Sequence, residues 1–115
     1  TGMILNVAFD YGGRNDIVEA TKLVSSKVLN KEIMVDEIDE LYLQNHLYVT
    51  SNIDLLIRTS GELRVSNFLL WQMAYAEFYF TKCLWPDFNV KELYKAIKSF
   101  NKRKRRFGGL NREVK

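Results

Sequence analysis

From Met3 to Phe9 the chain reads MILNVAF, an almost unbroken apolar run. A short run without helical spacing predicts a strand buried on both faces, the type found in parallel sheets. Asp10-Tyr11-Gly12-Gly13-Arg14 breaks it, and the paired glycines permit a tight turn. A helix is predicted from about Asp16, where Asp16 and Glu19 have capping-box spacing. Ile17, Ala20, Val24 and Val28 then recur at helical intervals until about Asn30. Asp36 to Leu47 reads as a second, acidic helix with Ile38, Leu41 and Leu43 inward. Ile53 to Ile57 (IDLLI) is a second buried-type strand, followed by a polar loop from Arg58 to Arg64. Ser66 is placed to N-cap a helix through Phe68, Leu69, Trp71, Gln72 and Tyr75. Glu77 to Thr81 (EFYFT) has strand composition, and Trp85-Pro86-Asp87-Phe88 closes that unit. Asn89 and Glu92 open a last helix with Leu93, Ile97 and Phe100 inward, and Gly108 and Gly109 supply its stop.

Strand, helix, helix, strand, helix, strand, helix is the order of an α/β fold with a mainly parallel sheet flanked by helices. Three strands fall short of the about five or six of an average sheet. The chain has 115 residues, without internal repeat or linker. The expectation is one segment, residues 1–115, forming part of a larger domain whose other strands lie elsewhere.

Composition removes several classes. Hydrophobic residues make up 47% and Pro occurs once, which excludes disorder and collagen-like repetition. Cys83 alone allows no internal disulfide and no Cys-based zinc site, and suits a reducing compartment. No apolar run approaches the roughly 20 residues that span a bilayer, so a soluble, cytosolic chain is expected. The net charge of +3 is unevenly spread. Residues 91–115 hold ten of the 17 Lys and Arg, five of them in Lys102-Arg103-Lys104-Arg105-Arg106, against two acids. An anionic partner therefore has to be considered.

The loop after the second predicted strand is the best candidate site, because ligands of open α/β sheets bind outside the carboxyl ends of strands. Arg58, Thr59, Ser60, Gly61, Glu62, Arg64 and Ser66 follow within nine residues. Forked guanidiniums, hydroxyls and free amides suit a diphosphate, although a solvated loop with ordinary surface arginines has the same composition. Glu77 is a carboxylate between an apolar helix and an aromatic strand, where burial is costly unless it is paired or metal-bound. It reads either as a Mg²⁺ ligand or as the partner of a nearby Arg.

The string DLLIRTSGELRVSNFLLWQMAYAEFYF, followed by WPDF and RRFGG, closely resembles the cis-prenyltransferase family, most nearly the bacterial undecaprenyl diphosphate synthases. NVAFDYGGRNDI resembles an upstream block of that family, with Asp10 where Asn is common. The resemblance implies that Arg58, Arg64 and Ser66, with Val65 between the last two, bind the diphosphate of isopentenyl diphosphate. It implies that Glu62 orients the neighbouring loop and that Glu77 helps to bind Mg²⁺. Arg106-Phe107-Gly108 matches an RxG motif associated with the site of the other subunit of a homodimer, so Arg106 and Gly108 join the substrate-binding set. The Asp that binds Mg²⁺ with the allylic diphosphate belongs to a block with no match here, so no catalytic residue is expected in this segment. The implied reading is the C-terminal half of an enzyme that adds isopentenyl units in cis to farnesyl diphosphate. The polyprenyl diphosphate would be delivered to a membrane from a cytoplasmic, peripheral position.

Two other classes compete. A non-catalytic partner subunit of a heteromeric cis-prenyltransferase would keep RxG, but retention of Arg58, Arg64, Ser66 and Glu77 argues against it. A nucleic-acid-binding module would use the basic run, yet no nucleic-acid motif accompanies it and cations also suit a helix C-terminus. Asp36-Glu37-Ile38-Asp39-Glu40 reads as a solvated helix face. His46 is the only His, and Cys83 reads as packed. Trp71, Tyr75, Phe78 and Phe80 read as core.

Overall fold

The computed structural model describes residues 2–109. Arg112, Glu113 and Lys115, counted above in the basic C-terminal stretch, lie outside the described residues. The chain divides into one unit of residues 1–50 and 67–71 and another of residues 51–66 and 72–115.

In the first unit, α1 spans Gly13–Leu29, a 3-10 turn spans Val35–Glu37 and α2 spans Glu40–Gln44. The inward residues of α1 are Ala20 and Val24, both buried, as the helical spacing predicts. The helix begins three residues before Asp16. Its first amides are met from a distant part of the chain: Gly13 N donates to the Asn67 carbonyl (2.6 Å) and Arg14 N to Asn67 Oδ1 (2.9 Å). Asp16 is therefore not a cap. It is buried inside the first turn, where its carboxylate accepts from Tyr11 OH (2.8 Å) and Tyr48 N (3.1 Å). The predicted acidic helix over 36–47 is mostly irregular: only α2 is α-helical, capped by Asp39 through Tyr42 N. Leu41 is exposed, and Leu47 supplies the buried apolar contact.

Two departures from the sequence pattern are the largest. Met3–Phe9 forms no strand among the described residues, and Met3, Ile4, Leu5, Val7 and Phe9 are 75–92% exposed. A two-faced apolar strand is buried only between sheet neighbours and covering layers. The helix predicted after Ser66 is absent: residues 66–75 form successive turns, with φ of +51, +61 and +39 at Ser66, Asn67 and Leu69. Left-handed residues cannot propagate an α-helix. Capping α1 with both polar groups of Asn67 overrides the local signal.

The second unit holds β1 (Leu55–Arg58), β2 (Glu77–Phe80), a 3-10 turn at Trp85–Asp87 and α3 (Val90–Asn101). β1 and β2 are parallel, with Leu55 opposite Glu77 and Arg58 opposite Phe80. The α/β class with a parallel strand pair is thus present, with two strands among the described residues where three were predicted. Asn89 caps α3, its Oδ1 accepting from Lys91 N and Glu92 N. Leu93 and Ile97 are about 40% exposed, and Ala96 is the buried contact residue. α3 ends at Asn101, well before Gly108 and Gly109. Helical spacing would stack the cations of Lys102–Arg106, and the chain instead leaves the helix there.

Gly13 carries a prediction. A Cβ there would lie 2.9 Å from Leu70 Cγ and 3.0 Å from the Asn67 carbonyl oxygen, so backbone would have to shift. Gly13→Ala should destabilise the full-length protein by about 1–3 kcal/mol, despite alanine's better helix propensity. A lower urea midpoint with unchanged slope is the expected result. An unchanged midpoint would show that the 67–71 segment yields freely.

Candidate diphosphate and metal site

The strand pair of the second unit has two chemically different ends. At the carboxyl end, Arg58 closes β1 and its carbonyl accepts from Thr81 N (2.9 Å). The following loop is tied back beyond β2, Ser60 N donating to the Cys83 carbonyl (2.8 Å) and Gly61 N to the Thr81 carbonyl (2.9 Å). Ser60 and Gly61 take φ of +66 and +70, a turn that glycine makes without steric cost. Arg58 is half-buried. Among the described residues its Nε is buried and has no hydrogen-bond partner, a costly state for a guanidinium unless an anion is to be met. Arg64 forms an ion pair with Glu62, and both side chains are substantially exposed. Such a pair contributes about 0–1 kcal/mol and exchanges readily for a stronger anion. Val65 is half-buried and Ser66 exposed, with no helix behind it. The helix N-terminus expected here as part of the anion site is therefore missing.

At the amino end stand Glu77 and Asp54, whose carbonyl accepts from Glu77 N (2.9 Å). Glu77 Oε2 lies 3.3 Å from Arg103 Nη1, which also donates to the Phe78 carbonyl (2.6 Å). Glu77 thus has a nearby Arg partner, as the second of its two readings expects. Arg105 bonds Asp54 Oδ1 (2.6 Å) and the Tyr75 carbonyl (3.1 Å). Arg106 and Gly108 belong to a turn beside Tyr75 and are exposed. The registered pairing puts Glu77 three strand positions from the level of Arg58, about 10 Å at the rise of a β-strand. The predicted residues thus fall into two groups. Arg58, Glu62 and Arg64 gather at one end, with Val65 and Ser66 following; Glu77, Arg106 and Gly108 lie towards the other.

A hard cation fits this chain only in part. No group of three or more His, Cys, Asp or Glu able to hold a metal occurs among the described residues. Mg²⁺ commonly uses one or two carboxylates plus phosphate oxygens, so Glu77 fits as a single ligand once Arg103 swings away. Other polar groups have structural roles. His46 Nδ1 meets the Tyr42 carbonyl (2.8 Å). Partial burial, and then the Glu92 and Asp87 carboxylates, push the Cys83 thiol above its ordinary pKa, which suits a packed, unreactive cysteine. Trp71 is half-buried, its indole donating to Gln44 Oε1 (3.0 Å), whereas Tyr75 is exposed and Phe80 partly so. A cleft of about 490 Å³ in the first unit is lined by Asn6–Gly12, Asn15, Tyr48, Val49, Phe68 and Leu69. It follows the unpaired apolar segment and holds none of the predicted site residues.

A sequence model of the prenyltransferase family, described as undecaprenyl diphosphate synthase, matches residues 1–108. The chain belongs to this family. The chain is 50% identical to the ditrans,polycis-undecaprenyl-diphosphate synthase ((2E,6E)-farnesyl-diphosphate specific) of Vibrio parahaemolyticus, over 100% of this chain and 47% of that protein. The Haemophilus influenzae protein of the same name is 54% identical, over 95% of this chain and 46% of that protein. Among solved structures, lavandulyl diphosphate synthase from Lavandula x intermedia, in complex with dimethylallyl diphosphate, matches with a TM-score of 0.81. It is 46% identical, over 85% of this chain and 43% of that one. The chain spans about half the length of the curated relatives it matches. No helix among its described residues is long and apolar enough to cross a membrane. Sequence reading missed Asp54, Arg103 and Arg105 as members of the site's surroundings. The alternation of the basic run, with Arg103, Arg105 and Phe107 two residues apart, was the available signal.

Proposed function

We propose that the protein containing this chain condenses isopentenyl diphosphate in cis with an allylic diphosphate, farnesyl diphosphate, and repeats the step to a long-chain polyprenyl diphosphate. The observation that carries this reading is the half-buried Arg58 at the carboxyl end of β1, its Nε without a partner. Arg58 binds the isopentenyl diphosphate with two forked donors. Arg64 turns from Glu62 to the same group, Ser66 adds a hydroxyl, and the Val65 backbone sets the distance between them. With the diphosphate fixed, the isopentenyl double bond is held against the allylic carbon. The allylic C–O bond breaks, diphosphate departs, the new C–C bond forms and a proton leaves the resulting cation. Mg²⁺, when bound, neutralises charge on the diphosphate, and Glu77 contributes one ligand to it. The protein is a homodimer in the cytoplasm, delivering its product at a membrane surface. Incorporation of labelled isopentenyl diphosphate onto farnesyl diphosphate by the full-length protein, abolished by a chelator and restored by Mg²⁺, tests the reaction. Failure to extend any allylic diphosphate would remove it.

The separation of the two ends favours a shared site, in which Glu77, Arg106 and Gly108 of one subunit serve the Arg58 loop of the other. Arg58→Ala and Glu77→Gln should each be severely impaired alone. Mixed dimers of the two should recover about half of the activity per dimer, because one of two sites then has both groups intact. No recovery in purified mixed dimers would place both groups in one subunit's site.

A further inference from the structure

The turn Arg106–Gly109 is closed by Gly109 N donating to the Arg106 carbonyl (2.7 Å), with φ of +43 at Phe107 and +81 at Gly108. Gly108 takes this conformation freely, but Phe107 does not. Something outside the turn has to hold it, and the preceding residue makes the contacts. Arg105 Nη1 reaches Asp54 Oδ1 (2.6 Å) and Nη2 reaches the Tyr75 carbonyl (3.1 Å), while its guanidinium lies over the rings of Phe107 (4.5 Å) and Phe100 (5.8 Å). Phe107 in turn meets Tyr75, ring centres 6.0 Å apart. Asp54 immediately precedes β1 and is bonded through its carbonyl to the first residue of β2. One side chain thus joins the end of α3, the start of the strand pair and the turn itself. Between the anchored Arg103, Arg105 and Phe107, the alternate residues Lys104 and Arg106 are exposed.

We infer that Arg105, anchored on Asp54, is a positioning residue that sets the conformation of the Arg106-Phe107-Gly108 turn and so the direction in which Arg106 is presented. The inference rests on the reading that Arg106 meets a substrate diphosphate. The contacts that Arg105 makes all lie within the second unit: Nη1 and Nη2 are bonded and its face is stacked, while its Nε is buried without a partner among the described residues, as in Arg58. Lysine cannot reproduce this, having one compact ammonium and no plane to stack. Asparagine at 54 keeps an acceptor but loses the charge that orients the fork.

The test uses the full-length protein with Arg105→Lys, Asp54→Asn and Arg106→Ala. Arg105→Lys and Asp54→Asn should each lower kcat/KM for isopentenyl diphosphate by about tenfold, with the farnesyl diphosphate KM little changed. Both should also speed amide hydrogen exchange at Phe107–Gly109 and trypsin cleavage after Arg106, without moving the urea midpoint by more than a small amount. Normal kcat/KM in these two variants beside a defective Arg106→Ala would overturn the positioning role and leave the functional reading standing. A normal Arg106→Ala would instead overturn the functional reading of the turn, and exchange and cleavage then decide the positioning role by themselves. Wild-type exchange and cleavage in both variants would defeat it.

Discussion

Replacing Arg58 by Ala in the full-length protein is expected to raise the KM for isopentenyl diphosphate by about tenfold to a hundredfold, the equivalent of a charge-assisted hydrogen bond of roughly 1.5–3 kcal/mol. Arg58 is half-buried and ends a strand, and its Nε has no competing partner among the described residues. Arg64→Ala should have the smaller effect, because Arg64 is exposed and must first leave Glu62. Arg58→Lys should recover only part of the loss, since an ammonium cannot donate in parallel to two oxygens. Rising salt should raise the KM of the wild type more than that of Arg58→Ala, because one screened contact has already been removed. Unchanged KM and kcat in Arg58→Ala would end the case for a clamp at this loop.

What the sequence made legible was local. Glu77–Phe80 and Leu55–Arg58 formed strands where β-branched and aromatic or leucine-rich runs predicted them, parallel and adjacent. Asn89 capped α3 because an N-cap needs only a side chain and two amides next to it in the chain. Legibility failed wherever a distant residue intervened. Asn67 caps a helix 53 residues away, so residues 66–75 turn instead of coiling and α1 starts before its supposed cap. Beyond the end of α3, Arg103 and Arg105 reach Glu77 and Asp54, so two of the five cations are ion-paired within the chain. The candidate site was legible as residues but not as geometry. Arg58 and Glu77 look like members of one cluster when read along the chain, and only the parallel register shows them at opposite ends of the strand pair.

Residues 1–115 expressed alone are expected to have no prenyltransferase activity and to aggregate. Activity should be absent because the upstream Asp that the family resemblance associates with the allylic diphosphate and Mg²⁺ has no counterpart in these residues. Aggregation follows from the segment Met3–Phe9, where Met3, Ile4, Leu5, Val7 and Phe9 are 75–92% exposed and no strand forms among the described residues. Seven residues with no charge, no Pro and mostly apolar side chains are an aggregation hazard when exposed, and among the described residues the sheet of the second unit has only two strands. Burial of each large side chain in that run would stabilise a folded state by about 1.5–3 kcal/mol, a contribution the isolated chain forgoes and self-association recovers. Light scattering should therefore show growing particles at micromolar concentration. Placing lysines at Ile4 and Val7 should slow their growth, because charge on an edge strand opposes edge-to-edge pairing. Co-expression with a segment supplying the remaining half of the relatives' length should suppress aggregation without those lysines, by pairing and covering the same strand. A monodisperse 115-residue protein that unfolds cooperatively would refute this expectation, and Met3–Phe9 would then have to be buried by a rearrangement within the chain itself.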